Sequence, residues 1–337
     1  MTTTTPVAAA VLTARLAEAV SGVRVADDLM SARVGDRHIT AETSRELQRQ
    51  LAVAMYEELH AGMAEREPGT VPFHLRDPRL EERLAAAVPH RTTTRTAVVR
   101  AVPAEGDSRI LLEREGVRVW APRADVRDDG PYALGQRVSV TVTAVRPALS
   151  PGFFLVDGAR AMAPGSGSGE LLRVYVHLMD ADAAVGAWGK TLGLLEEQGA
   201  DYRAKVLSAR SLYPRRDALV VYLRQESWGL AHDLAGALRG LPGRGDDVSL
   251  FARPLAPGVA AAREPADRRP GMRGLSFGQH RAGVLAQVLI EQRKTSGELA
   301  EILLHRFTEA GISATDPADN VDVPTDVSAD MPKNTPS

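Results

Sequence analysis

The sequence predicts an α+β protein: N-terminal helices and a small antiparallel sheet, then an α/β domain with C-terminal helices. Three observations carry that expectation. Leu47, Leu51, Met55 and Leu59 recur every four residues, the spacing of one helix face. In "RVSVTVTAV" (137–145) Val138, Val140 and Val142 alternate with Ser139, Thr141 and Thr143, the period of a strand. From residue 171 onward, strand-like and helix-like stretches follow one another.

Residues 1–6 are polar and expected as a flexible tail, and 7–20 as a helix. The helix over 43–66 opens on Thr43 and Glu46, which have capping-box spacing. Three prolines mark 67–80 as a loop, with a short helix at 80–87. "TAVVRAV", "RILLERE", "VRVWAP", "RVSVTVTAV" and "PGFFLVDG" read as strands of one antiparallel sheet over 93–158, with Glu115-Gly116 as a turn. The N-terminal region therefore spans 7–162, and "APGSGSGE" (163–170) is a linker by composition. The second domain, 171–312, starts with a strand at 171–178 and a helix at 182–198. Strands "YRAKVLS" and "ALVVYLR" follow, then a helix at 228–239 capped by Ser227, and a strand in "DVSLFARPL". That order, β-α-β-β-α-β, is the order of a ferredoxin-like unit. Helices at 276–293 and 297–310 close the domain. Residues 315–337 are polar and proline-rich, and are expected to be disordered.

Composition narrows the function. The 337 residues carry a net charge of −2, so no global basic field calls for nucleic acid. No apolar run approaches the ~18–20 residues of a membrane span. The start lacks the basic n-region of a signal peptide, which leads us to expect a cytoplasmic protein. With no cysteine there are no disulfides, thiolate metal sites or cysteine nucleophiles. Of 41 basic residues only Lys190, Lys205, Lys294 and Lys333 are lysine, which singles out a lysine inside a strand.

In "RVYVHL" (173–178), Arg173, Tyr175 and His177 share one strand face. A crossover helix makes this strand parallel to the one carrying Lys205, so Lys205 can share that face. The next loop holds Arg210, Arg215 and Arg216, and Ser276 caps the helix of His280 and Arg281. Each has a bland reading: a hydrogen-bonding core histidine, a snorkelling lysine, a solvated arginine turn. The remaining histidines, His38, His60, His74, His90, His232 and His305, have no metal-ligand spacing, and no metal or cofactor is expected. No P-loop, HExxH, GxSxG or dinucleotide motif is present. Lysine, histidine, tyrosine and arginines together suit elimination of phosphate from a phosphorylated serine or threonine. A base takes the α-proton, arginines hold the leaving phosphate, and an acid assists its departure.

The stretches "SPGFFLVDG", "RVYVHL", "YRAKVL", "RRDALVVYL", "FARPLAPGVA" and "SFGQHRAGVLAQVL" resemble the HopA-type (HopPsyA) type III effector domain, over about 150–290. That resemblance implies a phospho-Ser/Thr lyase of lanthipeptide or thioamitide maturation. Such a lyase works beside a phosphotransferase-like kinase subunit on a phosphorylated precursor peptide, giving dehydroalanine and dehydrobutyrine. His177, Lys205, Asp217 and His280-Arg281 match its pattern, while Arg253 departs from an expected "KPL". On the chemistry above, Lys205 is expected as base and His177 as general acid, with Tyr175 assisting and His280 a second acid. Arg173, Arg210, Arg216 and Arg281 are expected to hold phosphate. Two alternatives stay open: a non-catalytic subunit that binds the kinase or a leader peptide, and an effector acting on host proteins.

Overall fold

The computed structural model describes residues 14–63, 75–102, 104, 106–160, 171–313 and 315–321. Helix α1 (Ala14–Ser21) precedes three short strands, β1 (Arg24–Val25), β2 (Ser31–Val34) and β3 (Arg37–Thr40). These pair antiparallel as a small sheet that the sequence reading missed. Helix α2 (Ser44–Met55) continues into a π-helical turn, Tyr56–Ala61. Thr43 caps Glu46 N–H at 3.1 Å, while the Glu46 carboxylate takes the Glu42 N–H, so the expected box is only half formed. Helix α3 (Pro78–Ala86) starts at an Asp77 cap.

Strands β4 (Thr92–Ala101), β5 (Arg109–Arg114), β6 (Val117–Pro122) and β7 (Arg137–Thr143) form a four-stranded antiparallel sheet in the order β6-β5-β4-β7. The β5–β6 turn puts Glu115 and Gly116 at φ 52° and 79°, both left-handed, as a two-residue hairpin of this twist requires. The predicted single sheet over 93–158 is in fact divided. Strands β8 (Val145–Ser150) and β9 (Phe153–Asp157) belong to the main sheet instead. The expected boundary between an N-terminal region and a second domain is thus crossed by one continuous sheet.

That main sheet also contains β10 (Leu171–Leu178), β11 (Tyr202–Leu207), β12 (Arg215–Arg224), β13 (Arg253–Ala256) and β14 (Val259–Arg263). Its order is β13-β14-β10-β12-β11-β9-β8. Both β10 and β11 run antiparallel to β12, so they are parallel to each other across it. Helix α4 (Ala181–Glu197) makes the crossover between them, and α5 (Leu230–Ala237) follows β12. Two details differ from expectation. Ser227 lies in a 3₁₀ turn, and α5 begins after Gly229 without a side-chain cap. Residues 247–252 are not strand; the chain pairs only from Arg253, and β14 is what lies beside β10.

The sheet separates two cores. Leu172, Val174 and Val176 of β10, Ala204 and Val206 of β11 and Leu219 and Val221 of β12 pack with Trp188 of α4 and Leu234 of α5. The opposite face buries Tyr175, Val220 and Ala260 against α1, α2, and helices α6 (Phe277–Thr295) and α7 (Leu299–Glu309). Ser276 and Gln279 form a complete capping box at α6. Residues 315–321, expected in the disordered tail, are ordered: Ala318 is fully buried and Arg263 N–H donates to its carbonyl at 2.8 Å. The expected tail at 1–6, the linker at 163–170 and the rest of the C-terminal tail lie outside the described residues.

Candidate functional site

Strand alternation places Arg173, Tyr175 and His177 on the α6 side of β10, since Val174 and Val176 belong to the α4 core. The register then fixes Lys205. Tyr175 pairs with Val220, and Val220 pairs with Lys205, so all three lie in one row on one face. The next row holds Arg173, Tyr222 and Arg203. The expected sharing of a face by Lys205 and the β10 triplet is therefore what the sheet contains.

Lys205 is half-buried. Its Nζ lies 4.1 Å from the Phe153 ring centroid and 5.9 Å from that of Tyr222. Among the described residues no carboxylate comes within ion-pair distance of it. Ring faces line this ammonium, and the buried Asp217 carboxylate attracts it from beyond ion-pair distance. The Arg173 guanidinium stacks 5.0 Å from Tyr222 and grips Glu264 with both nitrogens of its fork, Nη2 to Oε1 at 2.5 Å. Burial opposes that charge, yet Tyr222, Tyr175 and Glu264 hold its pKa above the usual value. Tyr175 is buried with its hydroxyl making no hydrogen bond among the described residues. Burial pushes its pKa up, so it is a neutral phenol.

At the end of this face, β12 bulges. Val176 pairs with Leu219 but Leu178 pairs with Arg215, so the one residue between them on β10 opposes three on β12. The bulge re-aims Asp217 towards α2. Arg215 binds Asp217 through Nε to Oδ1 and Nη2 to Oδ2, both 2.7 Å, and donates to Tyr56 Oη at 2.8 Å. Tyr56 in turn donates to Asp217 at 3.3 Å. Burial works against the Asp217 charge, but Arg215 holds the carboxyl well below its usual range. His60 Nε2 is 3.8 Å from Asp217, and its Nδ1 is 2.7 Å from Ser249 Oγ. This Asp-His-Ser set is sealed: all three are buried, and a Cβ on Gly278 would stand 2.2 Å from the His60 ring. Burial lowers the His60 pKa to about 4. It is a core network, because a nucleophile must reach solvent.

His177 is half-buried at the rim. Its Nδ1 is 3.0 Å from the Asp247 carbonyl, which only accepts, so the neutral ring carries its proton there and leaves Nε2 bare. Burial lowers its pKa, and Arg216 adds to that. Gly245 makes room: a Cβ there would fall 2.3 Å from the imidazole. Arg216 donates to the Glu58 carbonyl at 3.1 Å and lies 3.7 Å from Asp247, so it joins His177 through a shared neighbour.

The other expected residues lie elsewhere. Arg210 sits in an exposed 3₁₀ turn on the α3–α4 side, 3.7 Å from Asp77 and 3.6 Å from Asp182. His280 is fully buried; its Nε2 donates to Asp267 at 2.9 Å and its Nδ1 accepts from Arg281 at 2.7 Å. Burial and Arg281 lower its pKa to about 4. Arg281 stacks on Phe277, and its remaining nitrogens donate to the Pro317 and Asp319 carbonyls and to Asn320 Oδ1. Burial lowers its pKa to about 9, and this ring of acceptors keeps it charged at neutral pH. Arg281 therefore anchors the segment 315–321, and His280 links Arg281 to Asp267. Arg253 is committed to that segment too, through Asp316 and Asp319 at 2.6 and 2.7 Å.

Sequence reasoning passed over Glu264, Tyr222, Phe153, Tyr56 and His60. Only the aromatics left a trace: Phe153 and Tyr222 fall at alternating positions of strands that were themselves legible. Among the described residues no three His, Asp or Glu side chains gather as a metal site, and no helix is long and apolar enough to cross a membrane.

A seven-stranded antiparallel sheet between two helical layers, with a cationic and aromatic row on one face, defines an α+β protein with a candidate anion site. The model of the HopA1 effector protein family matches residues 144–318, and the chain belongs to that family. The structure of the effector protein from Pseudomonas syringae pv. syringae strain 61 is similar at 15% identity, over 82% of this chain and 92% of that one, with a TM-score of 0.45. The corresponding effector structure from Pseudomonas syringae pv. tomato strain DC3000 is 17% identical, over 50% of this chain and 62% of that one, with a TM-score of 0.37. No curated protein matches the chain.

Proposed function

We propose that the protein is a phosphoserine/phosphothreonine lyase acting on a phosphorylated precursor peptide in lanthipeptide or thioamitide maturation, beside a separate kinase. The observation that carries the reading is Lys205. It is an amine held by aromatic rings, with no carboxylate within ion-pair distance among the described residues, in one row with Tyr175 and next to the Arg173–Tyr222–Arg203 row. Lys205 Nζ, as the neutral amine, takes the Cα proton of the phosphoresidue and becomes the ammonium that the Phe153 and Tyr222 ring faces hold. The released electron pair forms the Cα=Cβ bond as the Cβ–O bond breaks, and phosphate leaves with the bridging oxygen. His177 supplies a proton to that oxygen from Nε2. A phosphate dianion beside the ring favours imidazolium, so the substrate itself brings the histidine to its acid form. Arg216 at the same rim balances the phosphate charge, while Arg173, deeper in the row, is held by Glu264. Arg210, His280 and Arg281 have no part in this scheme, being engaged elsewhere.

The test is mass spectrometry of a phosphothreonine peptide incubated with the full chain, alone and with the neighbouring kinase. Loss of phosphoric acid from the peptide, absent in Lys205→Ala, supports the lyase. An intact peptide together with tight binding to the kinase or to a leader peptide overturns it in favour of a docking subunit.

A further inference from the structure

Asp157, at the end of β9, is shared by three arginines. Arg95 of β4 reaches its Oδ2 at 2.5 Å, Arg203 of β11 its Oδ1 at 2.7 Å, and Arg146 of β8 its Oδ2 at 3.5 Å. Arg114 of β5 lies close enough to oppose the charge on Arg146. Around Arg146, the charges of Arg114, Arg95 and Arg203 face the single carboxylate of Asp157, so Arg146 sits in a field with a surplus of positive charge. Like charges gathered at a half-buried place repel, and the arrangement is costly unless an anion joins it.

The three arginines are not equivalent. The Arg95 side chain is 4% exposed and ties the four-stranded sheet to the main one. Those of Arg146 and Arg203 are 23% and 32% exposed. Each meets Asp157 through Nε, which leaves the outer nitrogens of the fork turned away from it, and a fork with two outer donors matches a carboxylate.

Their position relative to Lys205 is set by register. Arg203 is two residues before Lys205 on the same strand, hence on the same face and about 7 Å away. Lys205 pairs with Leu155, and Leu155 pairs with Arg146, so Arg146 lies in the Lys205 row two strands over, about 10 Å away. An extended peptide advances about 3.3 Å per residue, so two or three residues cover either distance.

We infer that Arg146 and Arg203 form a carboxylate subsite that binds an aspartate or glutamate of the peptide, two or three residues from the phosphoresidue seated at Lys205. The placement relative to a phosphoresidue rests on the lyase reading above; the carboxylate subsite itself does not. It makes the protein a reader of acidic flanking sequence, in which Arg95 and Asp157 hold the two forks in place.

The experiment measures equilibrium binding to the full chain by fluorescence anisotropy. The probe is a labelled peptide carrying a phosphothreonine analogue whose ester oxygen is replaced by methylene, so that nothing can leave. One aspartate is walked through the three positions on either side, each compared with asparagine. The expected result is about tenfold tighter binding with aspartate two or three residues away on one side, fading at high salt. Arg146→Gln and Arg203→Gln each abolish the aspartate gain, while Arg146→Lys, which keeps the charge, retains part of it. Equal binding of aspartate and asparagine at every position overturns the subsite on the unaltered chain alone. So does an aspartate gain that survives both glutamine variants. Because no turnover is read here, an aspartate gain in this assay beside an intact phosphothreonine peptide in the mass-spectrometric test would refute the lyase and leave the subsite standing.

Discussion

Glu264 holds Arg173 with both carboxylate oxygens, and its own backbone carbonyl accepts from the Asn320 side chain at 2.8 Å. The guanidinium at the floor of the candidate site is thus connected, through one residue, to the segment 315–321. Arg173 is buried, so removing its partner leaves a charge with little water to replace it. Glu264→Gln keeps the shape and removes the charge. It should lower stability by about 2–3 kcal/mol, less than for a fully buried pair because the Glu264 side chain is 21% exposed. Denaturant unfolding of the variant and the parent measures this. Asn320→Ala, which frees the Glu264 carbonyl and removes one acceptor of the buried Arg281 guanidinium, should cost about 2–3 kcal/mol.

The buried histidines make stability depend on acid. His60 and His280 have pKa values lowered by burial from 6.5 to about 4. Above the unfolded value both states are neutral and the shift contributes nothing. As pH falls below it, the unfolded chain takes up two protons that the folded chain refuses, so stability falls between about pH 6.5 and 4. Each histidine contributes a loss on the order of 3 kcal/mol across that window. The depressed carboxyls, such as Asp267 at about 2, titrate lower and steepen the loss only below about pH 4. Chemical unfolding at a series of pH values should show this slope, and His60→Gln should roughly halve it. A flat profile between pH 6.5 and 4.5 would contradict the burial argument.

How much of this was readable beforehand differs from element to element. The face shared by Tyr175 and Lys205 followed from two strands with regular alternation and a helix of crossover length between them. Asp217 lay in a quoted motif, yet its aim depends on the bulge between Leu219 and Arg215, which alternation cannot show. Strand β14, "VAAAR", went unread because alanine carries little strand preference; it is a strand because β10 and β13 pair with it on either side. Glu264 was invisible as the partner of Arg173, since 91 residues separate them and no local pattern links them. His280 and Arg281 looked like site residues because a capped helix start favours anions. The segment 315–321 occupies that role, and its polar composition suggested disorder instead.

The Arg215–Asp217 pair should behave as a unit. Both side chains are buried, and Tyr56 bonds to each. Asp217→Ala strands the Arg215 charge and removes the acceptor for Tyr56, with an expected loss of about 3–5 kcal/mol. The double replacement Arg215→Met with Asp217→Leu removes both charges and should cost less than either single change. A double-mutant cycle read by thermal or denaturant unfolding gives the coupling. Additive losses would mean that the two residues act independently.

The sharpest prediction separates an amine that moves a proton from one that only attracts an anion. An arginine at 205 would keep the positive charge, and its planar fork would stack on Phe153 and Tyr222 at least as well as the ammonium does. An anion-docking surface would therefore bind a phosphopeptide about equally well with either residue. A base differs, since a guanidinium does not give up its proton at neutral pH. On the lyase reading, Lys205→Arg binds the non-eliminable phosphopeptide within about threefold of the parent, and its elimination rate falls by about 10²-fold or more. Lys205→Ala loses both. Single-turnover mass spectrometry beside anisotropy gives the two numbers on the same preparations. If Lys205→Arg retains the parent's rate of elimination, the proton is taken by another residue, and Lys205 is confined to holding phosphate.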